Sequence, residues 1–338
     1  MPPPLPIPRT RFGAKIAGTG SALPDRRLTN ADLEKMVETT HDWIVQRTGM
    51  HERRIAGPND STATLATDAA KRAIENANIS AQDIDLIIAG TFTPDMRTPS
   101  AACLIQHNLG IQKHCGAFDL NAACSGFIYS LATASQFIQN GAYKTILVIG
   151  AETLSRVADY TDRNTCVLFG DGAGAAILTA DENPNIGLQA FTLGANGDGA
   201  PLINIPAGGS LHPITPEAIA AREHLLKMNG REVYKFAVHQ MTECIRLSMQ
   251  ACNLTTDDVK LVVPHQVNQR IIDSATEKMG FPKDKVFLNI QNYGNTSAAS
   301  VPIAFDEARK AGRCGAGDWV IMVAFGAGLT WAAATIKL

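Results

Sequence analysis

Short apolar runs without polar alternation recur along the chain: Leu86 to Ala89, Thr145-Ile-Leu-Val-Ile149, Leu261 to Val263 and Trp319-Val-Ile-Met-Val323. Runs of this kind, rich in β-branched residues, read as strands buried on both faces, which requires helices above and below the sheet. Stretches 62–77 and 236–252 place apolar residues at helical spacing and supply such helices. The pattern also repeats. Ile79-Ser-Ala-Gln-Asp-Ile-Asp-Leu-Ile-Ile88 resembles Leu254-Thr-Thr-Asp-Asp-Val-Lys-Leu-Val-Val263 at an offset of 175 residues, and the runs beginning at Thr145 and Trp319 lie at an offset of 174. Two matches at nearly one spacing predict a duplicated βα unit. The chain therefore reads as an α/β protein of two similar halves, residues 11–183 and 184–338, joined near Asp181-Glu-Asn-Pro-Asn-Ile-Gly187.

Residues 192–216 are rich in Gly, Pro and Asn and keep no period, so they read as a long loop of the kind that usually serves function. Residues 1–10 open with five prolines in the first eight positions, lack the basic start and apolar stretch of a signal peptide, and read as a disordered tail. A composition of 45% hydrophobic and 18% charged residues supports a large core and excludes disorder. The net charge of −2 gives no overall drive toward nucleic acid or an anionic membrane. No apolar run approaches the ~20 residues of a membrane span. Seven cysteines, an odd number without a CxxC pair, fit a reduced cytoplasmic protein whose thiols mostly fill the core.

Candidate chemistry gathers in three segments. Phe118-Asp-Leu-Asn-Ala-Ala-Cys124-Ser-Gly-Phe127 joins a short strand to a helical pattern, which puts Cys124 at a helix N-terminus. The free N–H groups and dipole there are expected to lower its pKa and favour the thiolate. Leu261-Val-Val-Pro-His265-Gln-Val-Asn268 places a histidine just past an apolar strand, the edge at which α/β sheets carry their sites. Tyr293-Gly-Asn295-Thr-Ser-Ala-Ala-Ser-Val-Pro302 is a polar turn entering a small-residue helix, where Asn295 either caps the helix or offers its amide to a site shared with His265. The glycine-rich Phe169-Gly-Asp-Gly-Ala-Gly174 and Phe325-Gly-Ala-Gly328 run on into strand-like sequence. They read as close backbone crossings and not as phosphate cradles. No HExxH, paired cysteine set or Walker lysine occurs, so no metal site is expected.

Ala122-Ala-Cys124-Ser-Gly-Phe127, Val263-Pro-His265-Gln-Val-Asn268, Gly294-Asn295-Thr-Ser-Ala-Ala-Ser300 and Phe325-Gly-Ala-Gly328, in this order, resemble the β-ketoacyl-acyl carrier protein synthase III family. The likeness runs from about Gly13 to Leu338 and includes Asp42-Trp43-Ile-Val-Gln-Arg47 and Thr161-Asp-Arg163. It implies the thiolase fold, two similar halves in a five-layered αβαβα arrangement, and a cytoplasmic homodimer. It also implies a catalytic triad of Cys124, His265 and Asn295, with the backbone N–H groups of Cys124 and Ala327 as the oxyanion hole. Position 327 is glycine in many relatives, and a backbone donor survives the change.

The reaction so implied initiates type II fatty-acid synthesis without a cofactor, acyl-CoA and malonyl-acyl carrier protein being substrates. Cys124 takes the acyl group, and His265 with Asn295 stabilises the enolate formed as CO₂ leaves. CoA is expected against Trp43, Arg47, Arg163 and Asn268, and the acidic carrier protein against Arg270 and Lys235. Glu277 stands at a position that is basic in some relatives. Thr98 aligns where relatives restricted to acetyl-CoA carry phenylalanine, which implies an open acyl-pocket floor at the dimer interface. Two alternatives share the nucleophile: a condensing enzyme of secondary metabolism and a cysteine thioester hydrolase.

Overall fold

In the computed structural model, which describes residues 11–338, the apolar runs are strands covered on both faces. The stretch 1–10, expected to be a tail, lies outside the described residues. Nine strands make the main sheet: β1 (Gly13–Ala22), β2 (Leu86–Gly90), β3 (Gly116–Leu120), β4 (Thr145–Glu152), β5 (Gly172–Asp181), β6 (Gly187–Gly194), β7 (Val259–Pro264), β8 (Trp319–Gly326) and β9 (Thr330–Lys337). Their order is β7-β8-β9-β6-β1-β5-β4-β2-β3.

The order contains the same arrangement twice. β1-β5-β4-β2 and β6-β9-β8-β7 match strand for strand in sense: the first two junctions are antiparallel and the third is parallel. Where β3 lies parallel to β2, the second set has an isolated parallel bridge from Val262 to Val286. The two sets meet through one parallel pair, Ala14 with Gly187. The segments alike in sequence thus end in equivalent strands, β2 and β7, and the runs at Thr145 and Trp319 open the equivalent β4 and β8.

The principal helices are α1 (His41–Thr48), α2 (Thr62–Ala77), α3 (Ala101–Asn108), α4 (Gly126–Gln139), α5 (Gly230–Ala251), α6 (Gln269–Lys278) and α7 (Ser300–Lys310). Alternate residues of each buried strand serve different layers. In β4, Ile146 and Val148 meet Phe127 and Leu131 of α4, whereas Leu147 and Ile149 meet the alanine face of α2. In β8, Val320 and Met322 share the core of α4 and α7, whereas Ile321 and Val323 face α5 and α6. Five layers result: α2 and α3, one half of the sheet, α4 with α7, the other half of the sheet, α5 with α6.

Two boundaries differ from expectation. The helix expected over 236–252 begins at Gly230, because the Asn229 side chain accepts from Glu232 N and caps it six residues earlier. The stretch 192–216 is not structureless: it opens within β6, makes a 3-10 turn at Gly197–Leu202, and pairs Ile203–Asn204 antiparallel with Lys227–Met228. The glycine motifs are close crossings, as expected. A Cβ on Gly174 would lie 2.7 Å from Ile303 N of α7, and one on Gly170 would collide with the Tyr293 carbonyl.

Candidate active site

Cys124 stands where β3 gives way to α4. Asn121 Oδ1 accepts from Ala123 N at 3.2 Å, and a 3-10 turn over Ala123–Ser125 leads into the helix. Ala123 carries φ +48°, a left-handed conformation that is unusual for alanine. Ser297 (φ +50°) and Leu329 (φ +43°) share it. One of these residues adjoins each of the three motifs that meet here, the pattern of backbone strain concentrated at a site.

Cys124, His265, Asn295, Ser297 and the Gly326–Gly328 turn line one cavity of about 780 Å³. Much of the rest of its wall is apolar, including Phe92, Phe169, Leu226 and Phe325, and residues of the 195–209 segment contribute to it. The segment read as a functional loop therefore does border the site.

His265 follows β7, and its N–H donates to Val323 O at 2.7 Å, which fixes the backbone against β8. Its ring lies edge-on to Phe325, with Nδ1 at 2.5 Å from Ser300 Oγ. Gln266 N donates to the same hydroxyl at 3.4 Å, so Ser300 is free to donate to Nδ1 and leave the ring proton on Nε2. Nε2 itself is buried and has no hydrogen-bond partner among the described residues. Burial pulls the His265 pKa down to about 3, so the imidazole is neutral and poorly suited to accept a proton.

Asn295 does not cap the helix, whose own N-cap positions carry no side-chain bond; its Oδ1 instead accepts from Ser297 N at 2.8 Å, holding the turn, and the residue lines the cavity. The backbone is pinned by Asn295 N to Leu168 O at 2.8 Å and Gly170 N to Asn295 O at 3.0 Å.

The expected lowering of the Cys124 pKa is overturned. Burial pushes the thiol up to about 12, partly opposed by the Ser297 hydroxyl and reinforced by the Glu152 carboxylate. Loss of hydration outweighs a helix end that contributes at most ~2 kcal/mol. Gly326 faces the Cys124 amide so closely that a Cβ there would lie 2.6 Å from Cys124 N, and Ala327 follows in the turn.

Glu152, Ser297 and Ser300 were not singled out in the sequence. Glu152 carried a legible signal: it is an acidic residue ending an apolar run, in register with the inward-facing Ile146 and Val148.

A second cavity, about 1010 Å³, shares Met228 with the first. Trp43, Arg47, Lys235, Asn268 and Arg270 line it. Arg47 and Arg163 both lie over the Trp43 ring, at 5.6 and 5.3 Å from its centroid. The Asn268 side chain caps α6 through Arg270 N at 2.9 Å and donates to Arg47 O at 3.0 Å, which joins α6 to α1. Thr98 is exposed and belongs to neither cavity wall. Among the described residues, no group of three or more His, Cys, Asp or Glu could hold a metal ion, and no helix is long and apolar enough to cross a membrane.

Comparison with known proteins agrees over nearly the whole chain. Residues 118–197 match the family described as 3-oxoacyl-[acyl-carrier-protein (ACP)] synthase III, and residues 249–338 match its C-terminal part. A β-ketoacyl-[acyl-carrier-protein] synthase III of Natranaerobius thermophilus is 53% identical over 96% of this chain and 99% of its own. That of Caldanaerobacter subterraneus is 51% identical over 97% and 98%. The crystal structure of 3-oxoacyl-[acyl-carrier-protein] synthase III from Aquifex aeolicus superposes with a TM-score of 0.89 at 46% identity, covering 96% of this chain and 100% of that one. With its duplicated sheet and its cysteine, histidine and asparagine on one cavity, this chain has the thiolase fold and belongs to the β-ketoacyl-acyl carrier protein synthase III family.

Proposed function

We propose that the chain condenses an acyl-CoA primer with malonyl-acyl carrier protein, with loss of CO₂, to start type II fatty-acid synthesis. The observation that carries this reading is that Cys124, His265 and Asn295 line one largely apolar cavity, with His265 Nε2 buried and bonded to no group among the described residues. Cys124 attacks the primer thioester and becomes acylated while CoA departs. The backbone N–H groups of Cys124 and Ala327 receive the oxyanion. Malonyl-acyl carrier protein then binds, and His265 Nε2–H and the Asn295 amide donate to its thioester oxygen as decarboxylation builds enolate charge. The carbanion attacks the acyl-Cys124 carbonyl and releases the β-ketoacyl product.

CoA enters along the second cavity, with its base at Trp43 and Arg163 and with Arg47 and Asn268 along the way. Arg270 and Lys235 meet the acidic carrier protein at the same mouth. The active unit is a homodimer of chains with halves 11–183 and 184–338, and the exposed Thr98 reaches the partner's acyl pocket. All seven cysteines are unpaired, in keeping with a reducing cytoplasm. The CoA thioester is a substrate, and no further cofactor takes part.

Incubation with acyl-CoA followed by intact-protein mass spectrometry tests the reading. One acyl adduct is expected, mapped to Cys124 and absent from Cys124→Ser, with a β-ketoacyl product appearing once malonyl-acyl carrier protein is added. An adduct on Cys166 or Cys115, or a free fatty acid as the product, would overturn it.

A further inference from the structure

The neutral His265 leaves open where the proton of the half-buried Cys124 thiol goes. Glu152 ends β4 and is fully buried. Its Oε2 accepts from the hydroxyls of Thr91 at 3.1 Å and Thr93 at 2.5 Å and from Thr93 N at 3.1 Å, and Phe92 N approaches the carboxylate at 3.3 Å. Its Oε1 accepts from Ser297 Oγ at 3.1 Å. No lysine, arginine or histidine bonds to it among the described residues, whereas the equally buried Asp306 has Lys310 Nζ at 2.7 Å. Ser297 shares the cavity wall with Cys124, and the two short turns that carry them, Ala123–Ser125 and Ser297–Ala299, pack against each other. A hydroxyl placed between a thiol and a carboxylate can accept from one and donate to the other.

We infer that Ser297 and Glu152 form a proton relay that activates Cys124. As the sulfur attacks the primer carbonyl, the S–H proton passes to Ser297 Oγ while the Ser297 proton passes to Glu152 Oε1. The C–S bond to CoA breaks, and the CoA thiolate takes its proton from solvent. When the malonyl-derived carbanion expels the Cys124 thiolate, the proton returns from Glu152 through Ser297, so the pair ends each turnover as it began. The groups facing Glu152 are the Thr91, Thr93 and Ser297 hydroxyls, the Phe92 and Thr93 amides and the Cys124 thiol. Burial raises its pKa to about 7, which suits it to exchange a proton near neutrality. Its acylation step rests on the thioester reading above.

Iodoacetamide alkylation of Cys124 in the free protein, followed by intact mass between pH 5.5 and 9, tests the relay without any thioester. The wild-type rate is expected to rise through an inflection near pH 7. Glu152→Gln and Ser297→Ala should both lose that inflection and react ~10²-fold more slowly at pH 7.5, the lower end of a general base's usual effect. An unchanged pH profile in either variant, or no inflection in the wild type, overturns the relay. Ser297→Ala decides the matter alone if Glu152→Gln does not fold. An inflection lost in both variants, in a protein that forms no acyl adduct, upholds the relay and rejects the thioester reading.

Discussion

His265 brings to the cavity wall a buried nitrogen with no partner among the described residues, and Asn295 brings a side-chain amide, but neither can hold a proton taken from sulfur at neutral pH. Their loss should therefore fall on the step that builds charge on the malonyl thioester oxygen. His265→Ala and Asn295→Ala are each expected to slow CO₂ release from malonyl-acyl carrier protein ~10²–10³-fold, the usual effect of removing one such donor, while acylation of Cys124 stays within a few fold. Measuring CO₂ release and adduct formation separately checks this, and normal decarboxylation with failed acylation would reverse the roles. Cys124, His265 and Asn295 were legible because each sits at a junction that local patterning marks: a strand end, a helix start or a polar turn. The thiol's protonation was not legible, since it depends on desolvation by walls drawn from residues scattered between Phe92 and Thr330.

At the scale of elements, α1, α5 and α6 together form the mouth of the second cavity. Asn268 ties α6 to the carbonyl of Arg47, and buried Arg53 donates to Leu28 O, Val167 O and Asn30 Oδ1, which anchors the segment carrying Arg163. Arg270 in the first turn of α6 is exposed and has no ion-pair partner among the described residues, whereas Lys235 on α5 is paired with Glu232 at 3.0 Å. Arg270 is thus the better placed to meet an acidic carrier. Arg270→Glu should raise KM for malonyl-acyl carrier protein about tenfold or more at low salt, with the difference shrinking as salt is added, and leave the rate of Cys124 acylation by acyl-CoA nearly unchanged. Steady-state kinetics with each substrate varied in turn distinguishes this from general damage, which would lower both. The early start of α5 escaped the sequence because its first turn, Gly230-Arg-Glu232, is polar and Asn229 acts through its side chain alone.

The molecule as a whole was legible to the extent that it repeats itself. Offsets of 174 and 175 residues arise because β2 and β7, and β4 and β8, hold equivalent places in the two halves of the nine-stranded sheet, which share one strand order. The divergent part was hidden. The link from β4 to β5 spans residues 153–171 and includes Leu154–Arg156 and Arg163–Cys166, whereas the link from β8 to β9 is only Ala327–Leu329. A repeat search finds what the halves share, and much of the site is built from what they do not.

Glu152 and His265, both buried with no exposure, have a consequence for folding itself. Unfolding exposes each group to water and changes the protons it holds, in opposite directions. The pKa of Glu152 is raised from 4.5 to about 7, so its contribution to stability is full below pH 4.5 and is lost as pH rises through 7. His265 is lowered from 6.5 to about 3, so its contribution is full above 6.5 and is lost as pH falls toward 3. Between about pH 4.5 and 6.5 the folded state holds the proton on the carboxyl and the unfolded state holds it on the imidazole. Proton uptake and release by the pair then cancel, and stability has almost no slope with pH from these two groups. Glu152→Gln removes one side of the balance. Its unfolding free energy relative to wild type, from urea titrations in which the other groups cancel, should climb steadily from pH 4.5 to 7, and a flat difference would show that the carboxyl titrates normally in the folded protein.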